Sequence, residues 1–208
     1  MFLKKFKFLI PKNVRKYLRT IQKLIVYEYR RQVLKVPVFM NQPLNIILGA
    51  ALTHQPGWYS TNEHWLDISN SDNWDKVFKG KVLLKHVVAE HVFEHLTAEK
   101  CKQSLKNVYD HLQKKGSLRI AVPDGNHPDL TYLKHVGING IGADASDHKQ
   151  LLTVEILKEM LEKVGFNVQH LEGYTATGEL IQKKIEPNHG VIFRSRSNLV
   201  ALKQNGWD

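Results

Sequence analysis

A single cysteine, Cys101, stands in 208 residues. That excludes an intramolecular disulfide framework and a cysteine-rich zinc site, and it is compatible with a reducing compartment. No apolar run approaches the roughly 18 residues needed to cross a bilayer. Acids are nearly missing from residues 1–36, where Glu28 stands alone against eleven Lys and Arg. The rest of the chain carries 19 residues of each sign, so the net charge of +10 belongs entirely to the basic arm. The neutral remainder cannot be read from its pI. What is present, 42% hydrophobic residues with four Trp, eight Phe and seven Tyr, is enough to build a globular core.

In the arm, Met1–Ile10 interleaves Phe2, Leu3, Phe6, Phe8, Leu9 and Ile10 with Lys4, Lys5 and Lys7, without the unbroken apolar stretch of a secretory signal. Pro11 suits a helix start. From Val14 the residues Tyr17, Leu18, Ile21, Leu24 and Ile25 recur at three and four, which predicts a basic amphipathic helix. Such a helix fits an anionic membrane surface, its own domain or a second copy of the chain. Nucleic acid ranks behind these, because no basic stripe continues into the neutral part. The predicted organisation is an arm over 1–36, a linker over 37–43 and one domain over 44–208.

From Leu44 the pattern alternates. Strands are predicted at Leu44–Ile47, Trp58–Thr61, Val82–Ala89, Leu118–Val122, Phe166–Leu171 and Asn198–Leu202. Helices are predicted at Thr97–Leu112, capped by Thr97, and Val154–Val164, closed by Gly165. This is an α/β pattern: a Rossmann-like, doubly wound, mostly parallel sheet with helices on both faces. Ligands of such folds sit at the carboxyl ends of the strands, where strand order reverses. The residues following each strand therefore become the candidates.

Three motifs lie there or nearby. Gly49 in Leu48-Gly49-Ala50-Ala51 permits a sharp turn and close approach of a ligand, though a dinucleotide fingerprint would need three glycines. His91-Val92-Phe93-Glu94-His95 matches H-x-x-E-H. If helical, it would place both histidines on one face for zinc, as in a metal hydrolase, but it directly follows a buried strand. Asp144-Ala145-Ser146-Asp147-His148-Lys149 follows Gly137, Gly140 and Gly142, an expected flexible loop. There an Asp beside a His offers a general base, or Ser146 or Asp147 offers a helix cap.

Together these residues resemble class I S-adenosylmethionine-dependent methyltransferases. The resemblance runs through Asn45–Ala50, Pro56-Gly57-Trp58, Leu66-Asp67-Ile68, Leu118–Gly125, Asp147-His148-Lys149 and Gly165-Phe166. Ala89–Leu96 is similar to the corresponding segment of the predicted methyltransferases of the type-11-like group.

The resemblance implies a cofactor pocket. Gly49 and Ala50 would lie beneath the methionine moiety, Asn62 or Glu63 near the ribose, Asp67 and Ile68 at the adenine, and Glu90 with His91 beside the methyl group. It also implies methyl transfer to an oxygen or nitrogen acceptor, with His148 or His91 as base and Asp124 or Asp147 orienting it. Alanine at position 51 and the amide of Asn62 depart from the family pattern, which keeps a non-catalytic binding module as the alternative. The basic arm adds an expectation of work at the cytoplasmic face of a membrane, on a glycan or lipid-linked precursor.

Overall fold

The computed structural model describes residues 11–142, 144–183 and 187–193. Helix α1 (Lys12–Phe39) is longer than predicted, because Pro37 is accommodated inside its last turn. The helix thus runs into the expected linker. Only its carboxyl end is buried, through Leu34, Pro37 and Val38. Val14, Tyr17, Leu18, Ile21, Leu24 and Ile25 are all exposed. No described helix is long and apolar enough to cross a membrane.

The sheet contains β1 (Leu44–Leu48), β2 (Tyr59–Ser60), β3 (Leu84–Glu90) and β4 (Leu112–Ala121), in the order β2-β1-β3-β4. Every pairing is parallel. The chain moves from β1 outward to β2, then returns to the other side of β1 for β3, so the order reverses between β1 and β3. β4 begins earlier than predicted: Leu112 pairs with Leu84, and regular pairing resumes at Ser117 opposite His86. Between them Lys115 turns at φ 66°. The α/β expectation therefore holds in a parallel sheet.

One row of side chains, Leu44, Ile46, Leu48, Leu84, Val87 and Ala89, joins the main core. Against it pack Trp74 and Phe78 of α2 (Ser71–Phe78), Cys101, Leu105 and Val108 of α3 (Ala98–His111), and Leu161 of α5 (Val154–Val164). The alternate row, with Ile47 and Val88, packs instead on Ala50, Trp58 and Ile192. There Gly190 lies so close that an added Cβ would clash with the Val88 side chain. The Arg119 guanidinium donates to the Gly190 carbonyl.

The capping chemistry of the two predicted helices holds. Thr97 accepts the Lys100 N–H, Thr153 accepts the Ile156 N–H, and Gly165 takes φ 116°. Two short helices have no counterpart in the sequence reading. α2 buries only Trp74 and Phe78, and α4 (Leu130–Val136) has no buried residue.

The strand predicted over Phe166–Leu171 does not form. Phe166 and Val168 pack on the core, but the segment pairs with no described strand. Pairing begins at β5 (Glu172–Tyr174), antiparallel to β6 (Leu180–Gln182). Asn198–Leu202 and Met1–Ile10 lie outside the described residues.

Candidate functional site

Because the sheet is parallel, the residues after each strand share one edge. After β1, Gly49 adopts φ 58°, and a Cβ there would stand 2.6 Å from Val92 Cγ2. Gly49 and Val92 therefore meet directly across the reversal point, where a parallel sheet opens its crevice. Ala50 donates its N–H to the Thr61 carbonyl, and its side chain is buried against Trp58 and Ile192. Ala51 follows at φ 45°, a region costly for any residue with a Cβ. Its carbonyl, with those of Leu52 and Thr53, accepts from Arg30 of α1 at 2.8, 3.3 and 3.3 Å. No sequence pattern announced this clamp.

After β2, Asn62 is 4% exposed. Its Oδ1 accepts the His64 N–H at 3.0 Å, while its Nδ2 is buried without a partner among the described residues. Glu63 is exposed. Asp67 Oδ1 accepts both the N–H and the hydroxyl of Ser69. Ile68 lies in the main core, and its carbonyl accepts from Trp74 and Asn107. After β3, Glu90 Oε2 accepts the Phe193 N–H at 2.9 Å.

The other half of the edge is built from side chains facing one another. His91 takes φ 54° directly after β3, and its Nδ1 lies 2.9 Å from Glu94 Oε1. Phe93–His95 forms a single 3-10 turn. His91 and His95 are thus not two positions of one α-helix, and the helical H-x-x-E-H arrangement does not form.

His148 comes in from the loop before α5. The Lys149 and Gln150 N–H groups both donate to the Glu94 carbonyl, and Gln150 Nε2 donates to the Leu96 carbonyl at 2.6 Å. These bonds hold the 145–150 segment on the 3-10 turn. His148, 5% exposed, consequently meets His95 edge to face at 4.7 Å between ring centres. His148 Nδ1 lies 2.7 Å from the Val136 carbonyl, and His95 Nδ1 lies 3.0 Å from Asp147 Oδ1. Asp147 therefore orients His95, not the neighbouring His148, and the helix cap is Thr153.

Asp124 serves the backbone. Its Oδ1 accepts the Asn126 N–H and its Oδ2 the Tyr174 N–H, so it touches neither histidine through these oxygens. The glycine-rich stretch is wound up: Gly142 donates to the His135 carbonyl and Gly140 to that of Gly137. Cys101, beneath the 3-10 turn, has its thiol pushed up to about 11 by burial, so it is an unreactive core group.

The structure thus brings together His91, Glu94, His95, Asp147 and His148, and places Gly49 against the same segment. It leaves Asp67, Ile68 and Asp124 in structural hydrogen bonds. The Glu94–His148 proximity had no sequence signal, because it depends on the packing of two loops. No family model matches this chain, and no match is found among curated proteins. A crystal structure of a SAM dependent methyltransferase from Archaeoglobus fulgidus is similar over 88% of this chain and 85% of its own, at 16% identity and a TM-score of 0.46.

Proposed function

We propose that this chain is an S-adenosylmethionine-dependent methyltransferase acting on an oxygen or nitrogen acceptor held at a membrane surface. The carrying observation is the reversal point of the parallel sheet, where Gly49 turns left-handed against Val92 within the residues that carry the family resemblance. The donor set fits the cofactor at one place: the buried Asn62 Nδ2 is a donor still lacking an acceptor, such as a ribose hydroxyl. At Gly49 the space of a Cβ is filled by Val92, so this glycine serves the turn itself. Ala50, Glu63, Asp67, Ile68 and Glu90 complete the proposed binding surface.

The cofactor supplies a methyl group activated on a positively charged sulfur. The chain's task is then to position the acceptor and take its proton. His91 is better arranged for this than His148: in the tautomer whose Nδ1–H donates to Glu94 Oε1, Nε2 is the nitrogen that can take the acceptor's proton. Its side chain is 29% exposed, so an acceptor can reach it.

The acceptor's location follows from α1. Its exposed apolar residues share the helix with Lys12, Arg15, Lys16, Arg19 and Lys23, a surface complementary to anionic lipid at the cytoplasmic face. A membrane-associated glycan or lipid-linked precursor is the substrate class this placement favours.

Calorimetric titration with S-adenosylmethionine and S-adenosylhomocysteine tests the enzyme reading. Wild type should bind both, Asn62→Leu should bind at least tenfold more weakly, and Gly49→Arg should not bind. Absence of binding by folded wild type overturns the reading and favours the non-catalytic module. Sedimentation with phosphatidylglycerol vesicles, against phosphatidylcholine controls, tests the surface. Tyr17→Ser with Ile25→Ser should abolish it.

A further inference from the structure

We propose that Glu94, His95 and His148 bind a divalent transition-metal ion of the zinc type. Each contributes one ligand atom, and these atoms lie within 4.8 Å of one another. The hydrogen bonds around the cluster orient these atoms toward one point.

A histidine that ligates a metal almost always gives its other ring nitrogen to a carboxylate or a backbone carbonyl, which fixes the ring and makes the free nitrogen a better donor to the ion. Both histidines have that arrangement. His95 Nδ1 is held by Asp147 Oδ1 at 3.0 Å, and His148 Nδ1 by the Val136 carbonyl at 2.7 Å. In each ring, Nε2 is the nitrogen left for an ion.

Glu94 supplies an independent observation. Its side chain is 1% exposed, and Oε1 is engaged by His91 Nδ1. Oε2 is buried with no hydrogen-bond partner among the described residues. A buried carboxylate oxygen left unsatisfied is costly. A cation beside it removes that cost.

The ligand set selects the ion. Two imidazoles and one carboxylate suit zinc and its neighbours, whereas magnesium and calcium prefer all-oxygen surroundings. Ligands about 2.0–2.1 Å from a tetrahedral ion stand about 3.4 Å apart, so the three side chains close inward on binding. Three protein ligands leave an open position, which is the arrangement of a catalytic ion. This differs from a helical zinc motif: His91 orients Glu94, and the third ligand comes from the loop before α5.

The test uses full-length protein stripped with a chelator and dialysed. Zinc is titrated by calorimetry, and cobalt by its visible absorption, both without any adenosyl compound, so the result is independent of the methyltransferase reading. Wild type should bind one ion, with cobalt absorption of a mixed nitrogen and oxygen site. His95→Gln, on a partly exposed side chain, should weaken binding at least tenfold while circular dichroism stays unchanged. Glu94→Gln and His148→Gln should do the same. Asp147→Asn, which disturbs only the ring's orientation, should cost about tenfold. His127→Gln, outside the cluster, should cost nothing. Failure of wild type to bind overturns the proposal. So does binding that His95→Gln and His148→Gln leave intact, since that would be adventitious surface chelation.

Discussion

The two halves of the sheet's carboxyl edge use polar residues in opposite ways. Around β1 and β2, side-chain oxygens are spent on nearby backbone: Asn62 on His64, Asp67 on Ser69. In the 3-10 turn after β3 and the 145–150 loop, Glu94 and Asp147 spend theirs on other side chains, Glu94 on His91 and Asp147 on His95. The first arrangement fixes a backbone shape. The second fixes imidazole rings and keeps their remaining nitrogens available for chemistry. Shape and reactivity are thus assigned to neighbouring corners, and Gly49 against Val92 is where they touch.

The most disruptive way to break this division is at that contact. Gly49→Ala places a Cβ in a left-handed residue and 2.6 Å from Val92 Cγ2. Backbone strain and overpacking together should cost about 2–4 kcal/mol in urea unfolding. In a Val92→Ala background only the backbone part remains, so the same substitution should cost about 1–2 kcal/mol. Equal costs in both backgrounds would show that the corners are not in contact. A smaller loss, about 1–2 kcal/mol, is expected for Gln150→Leu, which removes the donor to the Leu96 carbonyl. Because that bond holds His148 on the 3-10 turn, the loss should come with weaker zinc binding.

This difference between corners also decides what a reader of the sequence can see. α5 was legible to the residue, since Thr153, the apolar spacing and Gly165 are local signals that agree. β1 and β3 were legible as buried apolar runs, and their common edge followed from parallel pairing. α2 was not, because eight residues with Trp74 and Phe78 as their only buried side chains give too little periodicity. Phe166–Leu171 has strand-like alternation but no pairing partner, and partners are not written in a segment's own sequence. At the site, His91 and His148 were singled out separately. Their assembly with Glu94 and His95 depends on backbone bonds from Lys149 and Gln150 to Glu94, between positions more than fifty residues apart.

The Arg30 clamp sharpens the shape corner from outside. Arg30→Ala removes donors to the carbonyls of Ala51, Leu52 and Thr53. These bonds are partly exposed, so the expected loss is about 1 kcal/mol. A hydrogen-exchange comparison should show faster exchange in 50–54 and no change in 145–150. Equal acceleration in both segments would mean that α1 supports the whole edge.

The smallest expected effect lies on the sheet's second face. His86 stacks on His189 at 5.0 Å between ring centres, and its Nδ1 lies 2.8 Å from Ser117 Oγ. Burial, and then the positive charges that His189, Lys85 and Arg119 carry when protonated, hold the His86 pKa below the ordinary histidine value. A histidine with a lowered folded pKa binds fewer protons folded than unfolded. Its contribution is therefore complete above about pH 6.5 and is lost as pH falls through the lowered value. The thermal midpoint of wild type should fall more steeply between about pH 7 and pH 5 than that of His86→Gln, which cannot titrate there. Zinc affinity should shift equally with pH in both proteins, because His86 does not belong to the reactive corner. If the two melting profiles run parallel, the 187–193 segment is held by Ile192 packing and the Arg119 bond to Gly190, with no part played by the stacked rings.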